Sequence, residues 1–155
     1  MNITVTQTLT DHSIPYEIKP HQTPVFTCED AAQQRGVALS QVLKCMLGQD
    51  AAGTVYAMLL PGDKTLNSKK MRQAAGGAKI SLIPREQLAK RFGLTVGAIS
   101  PTQLMGKAAF YMDESVLCEE EITISAGSPD SGLLLKTRDL LTLLAPVVCD
   151  IAGER

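Results

Sequence analysis

One lysine within an apolar segment is the first residue of this sequence that could do chemistry. Lys44 lies in the run VLKCMLG, and if that run is a strand, alternation places it on the same face as Val42 and Met46. An ammonium group at the wall of an apolar pocket could hold a phosphate or polarise an ester carbonyl more strongly than a surface lysine can. The alternative is a lysine that protects a strand edge or extends its charge to solvent.

A short glycine-to-proline turn is the second candidate. It consists of Gly97, Ala98, Ile99, Ser100 and Pro101. Glycine lets a backbone approach a ligand closely and proline fixes the exit of the turn, so the N–H and C=O groups between them could form a rigid polar rim. The alternative is an ordinary surface turn.

Other catalytic signatures are incomplete. The run PGDKT is similar to the end of a phosphate-binding loop, but Asp63 separates Gly62 from Lys64, and there is no GxSxG nucleophile motif. A thiol enzyme built on Cys45 or Cys118 has no support from histidine spacing. The four cysteines form no CxxC pair and there are two histidines, so we expect reduced thiols, no metal and no cofactor.

Composition sets the class of protein. With 155 residues and 45% hydrophobic content, we expect one folded domain over residues 1–155 with a core that needs no disulfide or metal. The apolar runs are too short to cross a membrane and no signal segment is evident, which predicts a cytoplasmic protein. A net charge of -1 gives no general attraction to DNA or other polyanions, so a nucleic-acid partner must be held locally.

The elements that would position these candidates alternate between helix and strand. The pattern predicts α+β, with a helix that Thr27 caps and Gly36 ends, and a strand pair at Val42–Leu47 and Thr54–Leu60. The other predicted elements are helices over residues 4–13, 68–75, 84–92 and from a cap at Thr137, and strands over residues 16–19, 79–83, 109–112, 121–125 and 133–136.

Six segments in this order resemble one family: HxxPVFTCEDAA, VLKCMLG, YAMLLPGDKTLNSKKM, VGAISP, MDES and ISAG. Together they extend from Tyr16 to Leu144 and are similar to the YbaK/prolyl-tRNA-synthetase-associated family of trans-editing aminoacyl-tRNA deacylases. The resemblance implies a compact α+β domain with a mixed, mostly antiparallel sheet flanked by helices. It also implies hydrolysis of the ester of mischarged aminoacyl-tRNA, often tRNA for proline that carries a small wrong amino acid.

The resemblance also implies site residues. Lys44 matches the family's pocket lysine, which would be catalytic, and Gly97 through Pro101 match its GxxxP substrate loop. Substrate-binding positions are further implied at His21, Thr27, Ser125 and Gly127. Family members are thought to lack a conventional nucleophile, so that water, the terminal ribose hydroxyl or the substrate's own side chain attacks the ester.

Some positions depart from the family pattern and leave alternatives open. Cys45 follows the lysine where serine or threonine is common, and Thr102 and Gln103 follow Pro101 where a bulky apolar residue and glycine are common. Leu134 occupies a position that is polar in some members. These departures leave the preferred amino acid open. The expected partners are aminoacyl-tRNA and a prolyl-tRNA synthetase. A rival hypothesis is a non-catalytic module that binds a tRNA 3′ end, a nucleotide or a protein.

Overall fold

A computed structural model describes residues 3–95 and 98–154 of the chain. Over these ranges the α-helices are α1 Ile3–Asp11, α2 Cys28–Arg35, α3 Ser68–Ala74, α4 Arg85–Phe92 and α5 Thr137–Leu144. The strands are β1 Glu17–Pro20, β2 Leu43–Gln49, β3 Val55–Pro61, β4 Lys64–Leu66, β5 Ser81–Leu82, β6 Ala109–Asp113, β7 Glu121–Ser125, β8 Ser131–Lys136, β9 Val147–Cys149 and β10 Ala152–Glu154. Short 3₁₀ helices cover Leu39–Gln41, Pro101–Leu104 and Glu114–Cys118.

The described strands form three sheets. The largest has the order β5-β2-β3-β6-β9, in which β2 is antiparallel to β3 and β5 while β3, β6 and β9 are parallel. A second, antiparallel sheet has the order β1-β8-β7, and β4 pairs with β10. The predicted α+β class with mixed, mostly antiparallel pairing is confirmed. The division into separate sheets and the short strands β4, β9 and β10 were not predicted.

The helix that approaches the candidate lysine is fixed at both ends by its own sequence. The Thr27 hydroxyl accepts a hydrogen bond from the backbone N–H of Asp30 at 3.1 Å, as an N-cap does. Gly36 ends α2 at a φ of 68°, a left-handed conformation that favours glycine.

The start of α5 differs from the prediction. The predicted cap at Thr137 is wrong, because Lys136 occupies the N-cap and the Thr137 hydroxyl donates to the carbonyl of Glu119 at 2.6 Å.

Strand β2 contributes side chains to apolar clusters on both of its faces, because successive side chains of a strand point to opposite sides. On one face, Leu43 packs in a cluster with Leu59 and Ile124. On the other face, Met46 packs against a cluster that contains Met58 and Leu60. Both faces of the strand that carries Lys44 are thus covered by apolar residues, and Lys44 itself is partly buried.

Asp113, at the end of β6, holds the chain at β10. Its carboxylate is 2% exposed, and Oδ1 accepts hydrogen bonds from the backbone N–H groups of Ile151 at 2.8 Å and Ala152 at 2.9 Å. Oδ2 accepts from the backbone N–H of Ser115 at 3.0 Å and from its hydroxyl. Burial raises the pKa of this carboxyl, but the hydrogen bonds outweigh burial and the pKa is lowered overall.

We expect Asp113→Asn to lower the free energy of unfolding by about 2 kcal/mol at neutral pH, because the amide N–H₂ would face the Ser115 N–H donor. Because the folded-state pKa is depressed, the ionised carboxylate stabilises the fold above its unfolded pKa, and this stability is lost as pH falls through the folded pKa. The gap between wild type and variant should therefore narrow in acid. Urea unfolding at several pH values measures both effects, with Asp150→Asn as an exposed control. A constant gap across pH would contradict this role.

Neither a membrane-spanning helix nor a metal-binding cluster occurs in the described parts of the chain. Within residues 3–95 and 98–154, no helix combines the length and apolar character needed to cross a membrane. The same residues contain no cluster of three or more histidine, cysteine or acidic side chains arranged to hold a metal ion.

Candidate functional site

A cavity of about 200 Å³ lies where β2, α2 and β7 meet. Its lining comprises Val25, Phe26, Thr27, Cys28, Ala31, Arg35, Val42, Leu43, Lys44, Cys45, Ile99 and Ser125. The two larger sheets touch at a parallel bridge between Val42 and Thr123. Because alternate residues share a face, Lys44 and Ser125 follow this bridge on the same side of their strands. The cavity thus forms beside the junction of the two sheets.

Lys44 is a partly buried member of the cavity wall. Its ammonium group donates a hydrogen bond to the backbone carbonyl of Lys64 in β4. That contact limits the positions of the ammonium group and ties it to β4. The structure therefore presents a positioned cation rather than a lysine extended into solvent.

The described lining carries positive charge and no carboxylate. Lys44 and Arg35 are its two cations, and none of the other described lining residues is aspartate or glutamate. Low local dielectric strengthens electrostatic interactions relative to those in water. The cavity therefore favours a ligand that brings carbonyl, carboxylate or phosphate oxygens.

Arg35 is held by a hydrogen-bonded chain that begins at His21. The Nδ1 atom of His21 lies 2.7 Å from the carbonyl oxygen of Pro129, and Arg35 Nε donates to His21 Nε2 at 3.1 Å. This arrangement requires a neutral imidazole with its proton on Nδ1. Burial lowers the pKa of His21, which favours that neutral form. Arg35 Nη1 also donates to the hydroxyl of Thr123 at 3.1 Å.

The structure brings four of the sequence-predicted residues together. Thr27, Lys44, Ile99 and Ser125 all line the cavity. The remaining described candidates, Ala98, Ser100, Pro101, Gly127 and His21, are not among the lining residues. Gly97 lies outside the described residues.

Within the predicted glycine-to-proline turn, the buried residues support the loop itself. Ala98 and Ser100 are buried, and the Ser100 N–H donates to the Gln103 side-chain oxygen at 2.9 Å. Pro101 begins a 3₁₀ helix over Pro101–Leu104. Of the described residues in this turn, Ile99 is the one that reaches the cavity.

Ser125 and Gly127 form a small turn at the end of β7. The Gly127 N–H donates to the Ser125 hydroxyl at 3.1 Å. Gly127 has a φ of 88°, which a residue with a side chain adopts only with strain. Gly127 therefore shapes the turn that holds Ser125 at the cavity.

The Cys45 thiol lines the cavity, but its environment does not activate it. Burial raises the pKa of this thiol to about 12. Since the thiolate is the nucleophilic form, Cys45 stays protonated and unreactive at neutral pH. Cys118 is exposed and is not part of the described lining. The environments of Cys45 and Cys118 thus give no support to a thiol-dependent enzyme built on either of them.

Sequence reasoning missed Arg35 and Phe26. Cys28, Ala31 and Arg35 are spaced by three and four residues, which places them on one face of α2. An arginine on the same helix face as the small residues Cys28 and Ala31 was the available signal for a charge directed inward. Phe26 is 63% exposed at the cavity and carried no comparable signal.

Comparisons with known proteins agree on one family. A family model described as "Aminoacyl-tRNA editing domain" matches residues 22–143. The chain is 25% identical over 142 residues to the multifunctional Ser/Thr-tRNA deacylase ProXp-y of Escherichia coli, with 89% of this chain and 84% of that protein covered. It is 29% identical over 114 residues to a proline–tRNA ligase of Methylobacillus flagellatus, covering 71% of this chain but 19% of the ligase.

A solved structure extends the likeness to three dimensions. The crystal structure of hypothetical protein APE2540 superposes on this chain with a TM-score of 0.89 and 27% sequence identity. The match covers 96% of this chain and 99% of that one. The whole described fold, including the strands around the cavity, therefore follows an architecture that is known from experiment.

Proposed function

Because this chain belongs to the aminoacyl-tRNA editing domain family, we propose that it hydrolyses the ester bond of mischarged aminoacyl-tRNA in trans. The observation that carries the proposal is the cavity that contains Lys44, Ser125 and Ile99. Two cations, Lys44 and Arg35, and the hydroxyls of Thr27 and Ser125 belong to residues that line this space of about 200 Å³. Such a space, below the roughly 300–1,000 Å³ of drug-sized pockets, suits a small aminoacyl group with the nucleotide on the open side.

Lys44 is the proposed catalytic residue. As water adds to the ester carbon, negative charge develops on the carbonyl oxygen, and a fixed ammonium group nearby stabilises that charge. The hydrogen bond from Lys44 to the Lys64 carbonyl supports this role, since it restricts the ammonium group before the substrate binds. Preorganisation of this kind lowers the barrier because the group does not reorganise during the reaction.

The other proposed contacts position the ester rather than attack it. Thr27, Ile99 and Ser125, which line the cavity, would contact the substrate. The segment from Gly97 to Pro101, of which Gly97 lies outside the described residues, is proposed as the substrate loop. His21 would act through its hydrogen bond with Arg35. Its two ring nitrogens are both engaged, so we do not assign it as a general base.

Water is the proposed nucleophile, because attack by the free hydroxyl of the terminal ribose would only move the acyl group from one ribose hydroxyl to the other. A protonated Cys45 is a poor nucleophile. An aminoacyl ester is already activated, so orientation and charge stabilisation can provide a large part of the rate acceleration that its hydrolysis needs. Hydrolysis of the acyl C–O bond then gives free amino acid and intact tRNA.

Phe26 is the proposed contact for the tRNA end. Phe26 exposes 63% of its area at the edge of the cavity. Proteins commonly bind unpaired bases by stacking them on aromatic side chains. We therefore place the terminal base of the tRNA at Phe26, with the aminoacyl group turned inward.

The proposed substrate is tRNA for proline that carries a small wrong amino acid, and a prolyl-tRNA synthetase is the proposed partner. Two relatives support this choice: ProXp-y is named as a Ser/Thr-tRNA deacylase, and part of a proline–tRNA ligase is similar to this chain. A protein with a net charge of -1 has little electrostatic affinity for tRNA as a whole. Delivery of the mischarged tRNA by the synthetase would compensate for this weak affinity.

A deacylation panel tests the proposal. Purified protein is incubated with tRNA for proline that carries alanine, cysteine, serine, threonine or valine, and the release of each amino acid is followed over time. We expect release from at least one of the small wrong amino acids well above the spontaneous rate. If no ester is cleaved while a non-hydrolysable 3′-aminoacylamino-adenosine binds tightly, the chain is instead a non-catalytic binding module.

A further inference from the structure

Arg35 is a buried cation that opens onto the cavity without a carboxylate partner. Its side chain is 7% exposed and lines the cavity. No carboxylate of the described chain forms an ion pair with it. Burial lowers its pKa to about 10, which still leaves the group charged at neutral pH. Buried charges are normally paired with an opposite charge, so a buried guanidinium group that has no carboxylate partner and lines a binding cavity calls for a ligand.

The hydrogen bonds of Arg35 use only part of its capacity. A guanidinium group has five N–H donors. Nε is bonded to His21 and Nη1 to Thr123, and both acceptors are neutral. Within the described structure, Nη2 makes no hydrogen bond to a protein group and is not among the buried side-chain atoms without a partner. Donors on that side of the group are therefore accessible, and the cavity is the space that Arg35 lines.

The position of the guanidinium is fixed by close packing. A Cβ atom built on Gly132 would lie 2.1 Å from Arg35 Nε and 2.5 Å from its Cζ. The absence of a side chain at Gly132 is therefore what makes room for the group. A cation held between β8, His21 and Thr123 is preorganised for one direction of hydrogen bonding.

The residues that line the cavity differ in burial. Val25, Ala31, Arg35, Val42 and Leu43 are buried, whereas Lys44, Ile99 and Ser125 are partly exposed. If the ester lies at Lys44, as in the proposed function, the buried lining residues remain for the amino-acid side chain. They comprise four aliphatic residues and one guanidinium group.

We propose that Arg35 is a specificity-determining residue that donates a hydrogen bond to an oxygen atom on the side chain of the attached amino acid. The site then prefers a side chain with a hydroxyl or carboxylate oxygen to an aliphatic side chain of similar size. This inference rests on the proposed function, since it assumes that the ester lies at Lys44. Sites built to hydrogen-bond a substrate oxygen discriminate strongly against the analogue that lacks it.

The test compares threonine with valine, which have nearly the same shape, on the same tRNA for proline. We expect the wild-type protein to have a kcat/KM for the threonyl ester at least about 10-fold higher than for the valyl ester. Arg35→Met keeps most of the side-chain volume and removes the donors. It should lower the threonyl value by about 10- to 100-fold and leave the valyl value within about threefold. Arg91→Met, at an exposed arginine that donates to Gln49, is the matched control and should change neither value.

Several outcomes would overturn the inference. An equal loss on both esters would mean that Arg35 supports the cavity in general, and an unchanged ratio would mean that it does not contact the side chain. If Arg35→Met does not fold, as judged by thermal unfolding, the wild-type preference decides, and a ratio near one overturns the proposal.

Failure of the proposed function can be distinguished from failure of the role proposed for Arg35. In that case no ester of the panel is cleaved, and the binding of threonyl and valyl 3′-amide analogues of adenosine replaces the kinetic ratio. A preference for the threonyl analogue that disappears in Arg35→Met would support the role of Arg35 in a non-catalytic module. Equal binding of both analogues by the wild type would overturn it.

Discussion

Replacing Lys44 with methionine is expected to lower kcat/KM for deacylation by at least about 100-fold, mostly through kcat. Removal of a single preorganised group that stabilises an oxyanion costs about 10²–10³ in kcat in other hydrolytic enzymes. Methionine retains most of the apolar stem, so packing along β2 is kept while the charge is lost. Single-turnover hydrolysis with an ester that the wild type cleaves measures the effect directly.

Two controls separate a catalytic role of Lys44 from a structural one: the stability of the Lys44→Met variant and the activity of a variant at a nearby lysine. The variant loses its hydrogen bond to the Lys64 carbonyl, which should cost about 1 kcal/mol in unfolding free energy and leave the fold intact. Lys64→Met is the matched control, because that lysine pairs at 2.7 Å with Glu154 and is not among the lining residues. Full activity in Lys44→Met would remove the lysine from its proposed role, as would an equal loss in Lys64→Met.

Local sequence signals were sufficient to predict the elements that carry the lysine. The Thr27 cap and the Gly36 stop depend on residues a few positions apart, and both occur in the structure. The alternation around Lys44 also predicted its strand correctly, since β2 spans Leu43–Gln49. These features were predictable because the interactions that produce them lie within one turn or one strand.

The parts that could not be predicted depend on residues far apart in the chain. Strand β4 is three residues long and exists by pairing with β10, about 90 positions later. The burial of Arg35 likewise depends on the hydroxyl of Thr123 and on the space at Gly132. No local pattern specifies such contacts, because loop closure over that distance is governed by the whole fold.

The glycine-to-proline turn could be predicted only in part. Its composition predicted an irregular segment, and Pro101 does start a 3₁₀ helix. Which side chains face the cavity depends on packing against other elements: Ala98 and Ser100 are buried, while Ile99 reaches the cavity. A motif thus indicates where a binding loop lies but does not specify which of its side chains touch a ligand.

Gly132→Ala is expected to have the largest effect on stability, a loss of about 3–5 kcal/mol in unfolding free energy. The new Cβ would lie 2.1 Å from Arg35 Nε, so the guanidinium must leave its place. That movement breaks its hydrogen bonds to His21 and Thr123 and leaves a buried cation without those acceptors. Overpacking of a tight site adds its own strain. Urea unfolding with a linear extrapolation provides the measurement.

A double-mutant cycle shows whether the loss arises from the clash with Arg35. Shortening the arginine in Arg35→Ala removes the atoms that the new Cβ would meet, so the double variant Arg35→Ala/Gly132→Ala should be clearly more stable than the sum of the two single losses predicts. Gly153→Ala is the matched control: Gly153 also lies in a strand, and its Cβ would make ordinary contacts, the nearest at 3.7 Å to Thr65. That variant should stay within about 1 kcal/mol of wild type. Strictly additive losses would mean that the guanidinium does not occupy the space beside Gly132, and the fixed cation proposed for the cavity would lose its structural basis.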